Sequence, residues 1–254
     1  MKHKRLKDIA GLTDMGLRRS NNEDAIAWDA ELGLALVADG IGGNNGGEVA
    51  SSTAVRSIKS DLQCALRSAA AEPRMTAGHG HAAVVHELVR RANARIISMA
   101  RRDPKLYGMG ATLAVALLAD DRVVIANVGD SRVYRMRGGV FEQLTRDHLL
   151  ADELMERGNL SAQEQAQSRC RNVLSRALGM SGELQLELVQ HPVESGDVYL
   201  LCSDGLTGAV SDDEMRAMLT DADADLRDVA HGAVALANHR GGRDNISVIL
   251  MRVA

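Results

Sequence analysis

The sequence predicts an α+β fold with mainly antiparallel sheets, and three observations favour it. Short apolar runs of strand type follow one another with only turn-forming residues between them. Two amphipathic helical segments are inserted as a pair, whereas a doubly wound fold would alternate strands and helices regularly. Gly138 and Gly139 separate two apolar runs by the two-residue spacing of a β-hairpin, which joins antiparallel strands.

The N-terminal part of the chain is predicted to hold three strands and then the helix pair. The strands are expected over Ile9–Thr13, Ala25–Trp28 and Leu32–Ala38. From Gly47 to about Ala70 apolar residues recur every three or four positions, which indicates an amphipathic helix. A loop with Pro and Gly over Glu72–Gly80 separates it from a second helix of the same kind, from about Ala82 to Ala100.

The rest of the chain is predicted to contain further strands and three helical segments. Strands are expected over Thr112–Leu118, Val123–Val128, Val133–Met136, Val140–Leu144, Leu184–Val189, Val198–Cys202 and Ile246–Val253. Helical patterns cover Asp147 to about Arg171, Asp212–Leu219 and Leu226–His239. No break in composition divides the chain, so residues 1–254 are predicted to form a single domain with a basic tail over residues 1–7.

The composition excludes several classes of protein. The chain has 254 residues, 45% of them hydrophobic, which is enough to build a core and argues against intrinsic disorder. A net charge of −4 and 2% aromatic residues argue against a nucleic-acid binder. The longest apolar run, Ala111–Ala119, has about half the length of a membrane helix. Cys64, Cys170 and Cys202 lie far apart, as in a reducing compartment, so we expect a cytoplasmic protein.

Carboxylates lie at the ends of five predicted strands. They are Glu23 with Asp24, Asp39, Asp130, Asp204 and Asp244. A single Asp in such a place is usually a turn residue, but this many would repel one another unless a divalent cation joined them. Oxygen ligands without a Cys or His cluster favour Mg²⁺ or Mn²⁺ over zinc. Arg19 lies four residues before Glu23 and could clamp a phosphate, so together they suggest metal-activated water attacking phosphorus.

A set of short motifs carries a resemblance to a known family. The motifs are Arg19–Asp24, Val37–Gly43 with Gly47–Ser51, Gly108–Thr112, Asn127–Arg132, Leu144–His148, Cys202–Leu206 and Asp244-Asn245. In this order, over about residues 8 to 253, they resemble the bacterial branch of the metal-dependent serine/threonine protein phosphatases of type 2C. The resemblance implies a central β-sandwich of two mainly antiparallel sheets flanked by antiparallel helix pairs, a four-layer α-β-β-α arrangement.

The resemblance also implies two Mn²⁺ or Mg²⁺ ions. Asp39 would bridge them, and Asp204 and Asp244 would complete the first site. Glu23 and the Gly40 carbonyl would hold the second. A hydroxide bridging the two ions would then attack phosphorus in line, with no phosphoenzyme.

Further roles follow from the same resemblance. Asp130 would share a third metal site with Asp204, Asp24 would orient a metal-bound water, and Arg19 would clamp the phosphate. Animal relatives carry a His two residues after the bridging Asp, where this chain has Ile41, so the leaving-group acid is unassigned.

The implied partners are phosphorylated protein substrates and an opposing Ser/Thr kinase, with no nucleic acid and no membrane, and we expect a monomer. The stretch of about residues 145–175 corresponds to the variable flap of the family. Substrate choice is therefore expected to depend on this flap.

Three other interpretations compete with this one. Gly40-Ile41-Gly42-Gly43 invites a dinucleotide-binding interpretation, but the third glycine of that fingerprint falls on Asn45. Cys170 and Arg176 have the spacing of cysteine-dependent phosphatases, but Val173 and Leu174 fit a phosphate-cradling loop poorly. The third is a weak or inactive family member that binds phosphoproteins, and it predicts the loss of a metal ligand.

Overall fold

The computed structural model describes residues 6–42, 46–71, 80–168, 170–180, 182–221 and 223–254. The strands are β1 (Leu6–Asp14), β2 (Ala25–Asp29), β3 (Leu34–Ala38), β4 (Gly40–Ile41), β5 (Gly110–Ala111), β6 (Leu113–Ala119), β7 (Arg122–Val128), β8 (Arg132–Arg137), β9 (Val140–Gln143), β10 (Glu187–Pro192), β11 (Val198–Cys202) and β12 (Ile246–Val253). The helices are α1 (Gly46–Ala71), α2 (His81–Arg102), α3 (Leu150–Glu156), α4 (Ala162–Gln167), α5 (Asp204–Thr207), α6 (Asp212–Met218) and α7 (Leu226–His239), and a 3₁₀ turn covers Pro104–Leu106.

Two five-stranded antiparallel sheets form the centre of the molecule. The first has the strand order β1-β12-β11-β8-β9 and the second β10-β7-β6-β3-β2. Their facing sides share a core that includes Val37, Ile125, Leu201 and Ile249. Because inner strands are covered on both faces, β3 is buried at every position and reads as a continuous apolar run.

Helices cover the outer face of each sheet. On the second sheet, Ile58 of α1 and Ile96 of α2 pack in one core with Leu36, whose neighbour Val37 points to the other side. On the first sheet, Ala230 of α7 and its neighbours form a separate core. Two antiparallel sheets between helical layers confirm the predicted α-β-β-α fold.

The predicted hairpin at Gly138 and Gly139 is confirmed. The two glycines have φ values of 54° and 83°. They join β8 to β9, in which Arg137 is paired with Val140. A left-handed conformation at two successive positions is the reason for glycine at both.

Two predictions about strand boundaries need correction. Leu6 and Lys7 belong to β1 and not to a basic tail, because β1 extends beside β12 as far as Val253; residues 1–5 lie outside the described residues. The strand predicted over Leu184–Val189 is β10, displaced towards Pro192 because its register follows β7. Pro192 is tolerated there because β10 is an edge strand.

The helical pattern predicted from Asp147 to Arg171 is broken into the short helices α3 and α4. Gly158 has a φ of 73° and ends the first helical stretch. Ser161 then starts the second with a capping box, in which its side chain and that of Glu164 each bind the other's backbone N–H. Cys170 lies beyond α4 in a turn and not on a helix.

The loop predicted over Glu72–Gly80 lies outside the described residues except for Gly80. The three cysteines are free thiols, as their spacing predicts. Within the described ranges, the helices lack the combination of length and apolar character that a bilayer span requires.

Candidate active site

The sheet topology brings the predicted site residues to one end of the sandwich. In the second sheet Ala25 of β2 pairs with Ala38 of β3, which places Asp24 beside Asp39. In the first sheet Cys202 of β11 pairs with Val248 of β12, so the residues after β11 and before β12 meet. Residues that are far apart in the sequence therefore lie at the same end of the sandwich. The carboxylates at this end are Glu23, Asp24, Asp39, Asp130, Asp204 and Asp244.

Asp39 is fixed through its backbone. Its N–H donates to Thr112 Oγ1 at 2.9 Å, and its carbonyl accepts from the Thr112 N–H at 2.8 Å. The Thr112 hydroxyl lies 2.7 Å from Ser131 Oγ, and both residues are buried. Since Ser131 follows Asp130, this pair of hydroxyls joins the loop of Asp39 to that of Asp130.

Glycines allow the Asp39 loop to approach the start of α1. A Cβ on Gly40 would lie 2.3 Å from the carbonyl carbon of Gly47 and 2.6 Å from the Glu23 carbonyl oxygen. A Cβ on Gly47 would lie 2.8 Å from Glu23 Oε2. The Glu23 carboxylate is therefore seated against the first turn of α1, where backbone N–H groups favour a negative charge.

Asn245 connects the loop before β2 to the loop before β12. Its Oδ1 accepts from the Glu23 N–H at 2.8 Å, and its Nδ2 donates to the carbonyl oxygens of Met15 and Asn21, both at 2.9 Å. A Cβ on Gly205 would lie 1.9 Å from the Asn245 carbonyl oxygen, so the turn after β11 also touches this loop. Asn245 thus holds together the segments that carry the carboxylates.

Asp24 is buried and hydrogen-bonded on one side only. Its Oδ2 accepts from Ser203 Oγ at 2.7 Å, and Ser203 Oγ accepts from the Ser247 N–H at 3.0 Å. Oδ1 of Asp24 and Oδ1 of Asp204 are buried without a hydrogen-bond partner in the structure. A buried carboxylate oxygen of this kind is costly unless a cation or a proton donor meets it.

Burial and mutual repulsion raise the pKa values of the clustered carboxyls. Burial holds the pKa of Asp39 well above its usual range, and the charges of Asp24 and Asp204 raise it further. Burial also raises the pKa of Asp130 to about 7 and that of Asp24 to about 6. Burial is also the main cause that raises the pKa values of Glu23 and Asp204. The cluster therefore carries more negative charge than the protein around it compensates.

Arg19 lies at the edge of this cluster. Its Nη2 donates to Asp244 Oδ2 at 2.7 Å, and the two side chains are 49% and 33% exposed. The hydrogen bond to Asp244 raises the pKa of Arg19, and the charges of Asp39 and Glu23 act in the same direction.

The donor set fits a hard divalent cation. All of the clustered side-chain donors are carboxylate oxygens, two of them without a partner, and oxygen donors suit Mg²⁺ or Mn²⁺. As they are placed, no three Asp, Glu, His or Cys side chains of the described ranges already converge as a set of metal ligands.

The base of the predicted flap is anchored next to Asp130. His148 Nδ1 accepts from the Gly129 N–H at 3.0 Å, and burial lowers the pKa of His148 to about 4, so the ring is neutral. Arg132 makes a bidentate ion pair with Asp147, with a shortest N–O distance of 2.6 Å. These contacts fix residues 145–148 on the end of β7.

Comparison with known proteins decides the family. The family model described as Protein phosphatase 2C matches residues 17–238. The chain belongs to the protein phosphatase 2C family. This assignment confirms the resemblance drawn from the motifs and the predicted enzyme class, a protein phosphatase.

Individual relatives of this family match nearly the whole chain. The serine/threonine phosphatase stp of Listeria innocua is 36% identical over 242 residues, which cover 94% of this chain and 93% of that protein. The crystal structure of Mycobacterium tuberculosis PstP/Ppp superposes with a TM-score of 0.80 at 33% identity, covering 96% of this chain and 97% of that one. The catalytic domain of PstP in complex with 2 manganese ions has a TM-score of 0.78 at 32% identity, covering 97% and 98%.

The dinucleotide-binding and cysteine-phosphatase interpretations find no support at the described residues. Asp61, at the distance expected of a ribose-binding acid, lies within α1 and pairs with Arg95 at 3.0 Å. Cys170 follows no strand, and Arg176 is paired with Glu153 at 3.2 Å. The 2C family assignment therefore stands without a rival site in this part of the molecule.

Sequence reasoning gave no role to the residues that hold the carboxylates in place, although three of the four lie inside its motifs. Thr112, Ser203, Asn245 and Ser247 are buried polar residues at the ends of apolar strands. The sequence feature that could have identified them is a polar side chain next to a run of apolar residues predicted to be buried. Such a group requires a hydrogen-bond partner. The partners themselves lie in other segments and could not be named from the pattern.

Proposed function

We propose that the protein is a Mn²⁺- or Mg²⁺-dependent phosphatase that hydrolyses phosphoserine and especially phosphothreonine in proteins and opposes a Ser/Thr kinase. The observation that carries the proposal is the cluster of buried and half-buried, mutually repelling carboxylates with Arg19 at its edge. Family membership and relatives named as serine/threonine phosphatases support it.

The residues proposed to hold the cations are those of the cluster. Asp39 is proposed to be shared by two ions, with Asp204 and Asp244 at one and Glu23 and the Gly40 carbonyl at the other. Asp130 and Asp204 are proposed for a third ion. When bound, such ions supply Lewis-acid stabilisation of the phosphoryl charge and lower the pKa of water.

The protein's own side chains are proposed to position the reactants. The Arg19 guanidinium presents a planar set of N–H donors that matches the oxygens of a phosphate. Oδ1 of Asp24 has no partner, while Ser203 fixes Oδ2, so the free oxygen can accept a hydrogen bond from a water molecule and orient it. The site is only partly exposed to solvent, which strengthens these interactions relative to those in bulk water.

This proposal assigns no side chain as the acid that protonates the leaving group. Ile41 of β4 occupies the place of the histidine of animal relatives and has no ionisable group. His148 is an acceptor for the Gly129 N–H with a pKa of about 4, so it serves the fold as a neutral ring. A water molecule is the proposed proton donor.

In this proposal residues 1–254 form one phosphatase domain, and residues 145–175 are a flap that affects substrate choice. The protein is proposed to be a monomer in the cytoplasm. The anchoring of the flap base by Arg132 and His148 beside Asp130 supports a flap next to the site. Free thiols at all three cysteines are compatible with a reducing compartment.

The test is hydrolysis of a phosphothreonine peptide and of p-nitrophenyl phosphate. Activity should require added Mn²⁺ and stop with EDTA, and Asp39→Asn or Asp204→Asn should each reduce it by several orders of magnitude. Asp29→Asn is the matched control, because Asp29 ends β2 at the opposite edge and binds Gln63 at 3.0 Å. Activity that survives chelation would contradict the proposal.

Two further variants separate the proposal from its alternatives. Arg19→Ala should raise KM more than it lowers kcat, if the guanidinium mainly binds phosphate in the ground state. Cys170→Ser should leave turnover unchanged. A protein that binds the phosphopeptide but never hydrolyses it would be the inactive family member.

A further inference from the structure

The ion pair between Arg19 and Asp244 joins two residues to which the proposed function gives separate tasks. Asp244 Oδ2 accepts from Arg19 Nη2 at 2.7 Å, and Asp244 Oδ1 accepts from the Asn245 N–H at 2.8 Å. Both oxygens of this carboxylate are therefore used by the chain itself. A cation that binds Asp244 Oδ2 would lie beside the Arg19 guanidinium, and repulsion between the two positive charges favours departure of the guanidinium.

The contact from Arg19 is the one that can move. The Asn245 N–H belongs to a residue held by three further hydrogen bonds of its side chain. The Arg19 guanidinium is at the end of a flexible side chain that is 49% exposed. An exposed ion pair of this kind contributes about 1 kcal/mol or less, so a divalent cation can displace it.

The backbone beside Arg19 is held by hydrogen bonds and close packing. The N–H groups of Leu17 and Arg18 both donate to the Gly242 carbonyl oxygen, at 2.8 and 3.1 Å. Gly242 has a φ of 48°, and a Cβ there would lie 2.7 Å from the Leu17 nitrogen. The loop is thus packed tightly against the turn that leads to Asp244, and only the side chain is free to turn.

We infer that Arg19 is held by Asp244 in the metal-free protein and is released to bind phosphate when a divalent cation takes its place on Asp244. This inference rests on the proposed function and adds the order of two events: a cation binds first, and Arg19 then becomes available for phosphate. The metal-free protein keeps its phosphate-binding group occupied, and metal binding makes the guanidinium available. By linkage, a phosphate held by Arg19 strengthens metal binding in return.

The first test is Mn²⁺ binding measured by isothermal titration calorimetry on the full chain. Arg19→Ala should bind Mn²⁺ about fivefold more tightly than Arg18→Ala, which corresponds to the loss of an exposed ion pair. Arg18→Ala is the matched control because it removes the same charge one residue away, where the side chain has no hydrogen bond or ion pair to the described residues. Equal affinities of the two variants would overturn the inference.

The second test observes the guanidinium directly. In a Mg²⁺ titration followed by NMR, the Arg19 Nε–Hε signal, identified by its absence in Arg19→Ala, should shift, while the Arg18 signal stays in place. An Arg19 signal that does not respond at saturating Mg²⁺ would overturn the inference.

The two tests also separate this inference from the proposed function. An unresponsive Arg19 signal in a protein that hydrolyses the phosphothreonine peptide overturns the inference alone. A responsive signal in a protein without hydrolysis supports the inference and contradicts the proposed function. A wild-type protein that binds neither Mn²⁺ nor Mg²⁺ overturns both.

Discussion

Replacing Asn245 by Ala should weaken both the fold and the site, because one side chain holds three segments. Asn245 is 4% exposed. It makes three side-chain hydrogen bonds, to the Glu23 N–H at 2.8 Å and to the carbonyl oxygens of Met15 and Asn21 at 2.9 Å. At about 1 kcal/mol for each bond, the loss amounts to about 3 kcal/mol of unfolding free energy.

The assay is urea unfolding in the presence of EDTA, followed by the fluorescence of Trp28, the single tryptophan of the chain. A loss of about 3 kcal/mol corresponds to a fall in Tm of roughly 6 to 12 °C for a domain of this size. The same variant should need a higher Mn²⁺ concentration for half-maximal activity, because the loop of Glu23 is no longer fixed to that of Asp244.

The matched control is Asn21→Ala. The Asn21 side chain makes one exposed hydrogen bond, to Glu48 at 3.1 Å, so its removal should change the unfolding free energy by less than about 0.5 kcal/mol. Asn245→Asp keeps the acceptor for the Glu23 N–H and loses both donors, and should fall between the wild type and Asn245→Ala. If Asn245→Ala proved as stable as Asn21→Ala, the role given to this side chain would be wrong.

Three further predictions test the packing around the site. Gly205→Ala should lower the unfolding free energy by about 1 to 3 kcal/mol, as measured by urea unfolding, because its Cβ would lie 1.9 Å from the Asn245 carbonyl oxygen. The His148 pKa is lowered from 6.5 to about 4 in the folded protein, so the unfolded chain binds the proton more tightly and stability falls as the pH drops from 6.5 towards 4. His148→Gln should lack this part of the pH dependence, up to about 3 kcal/mol, and the difference between the two unfolding curves isolates it; parallel curves would contradict the assignment. Asp147→Ala should cost about 2 kcal/mol, because it leaves the half-buried Arg132 guanidinium without its bidentate partner, and a variant of wild-type Tm would show that the flap base does not depend on this pair.

Most elements of the fold could be predicted because their signals are local. The period of apolar residues in α2 and the continuous apolar run of β3 each depend on neighbours within a few positions. The helical pattern after Asp147 gave a wrong prediction because it, too, is a local signal. Polar residues at helical spacing predicted one long helix, but Gly158 and Ser161 break it.

The sequence by itself determined where carboxylates follow or precede strands, and the order of its motifs was enough to indicate the family. The tertiary structure decided which of these groups meet. The antiparallel register of β11 with β12 sets Asp204 near Asp244, and the closure of Asn245 on Glu23 joins positions more than 200 residues apart. The pairing of Arg19 with Asp244 is equally long-range. A local pattern carries no information about such contacts, because they depend on how two sheets pack and not on the spacing of residues along the chain.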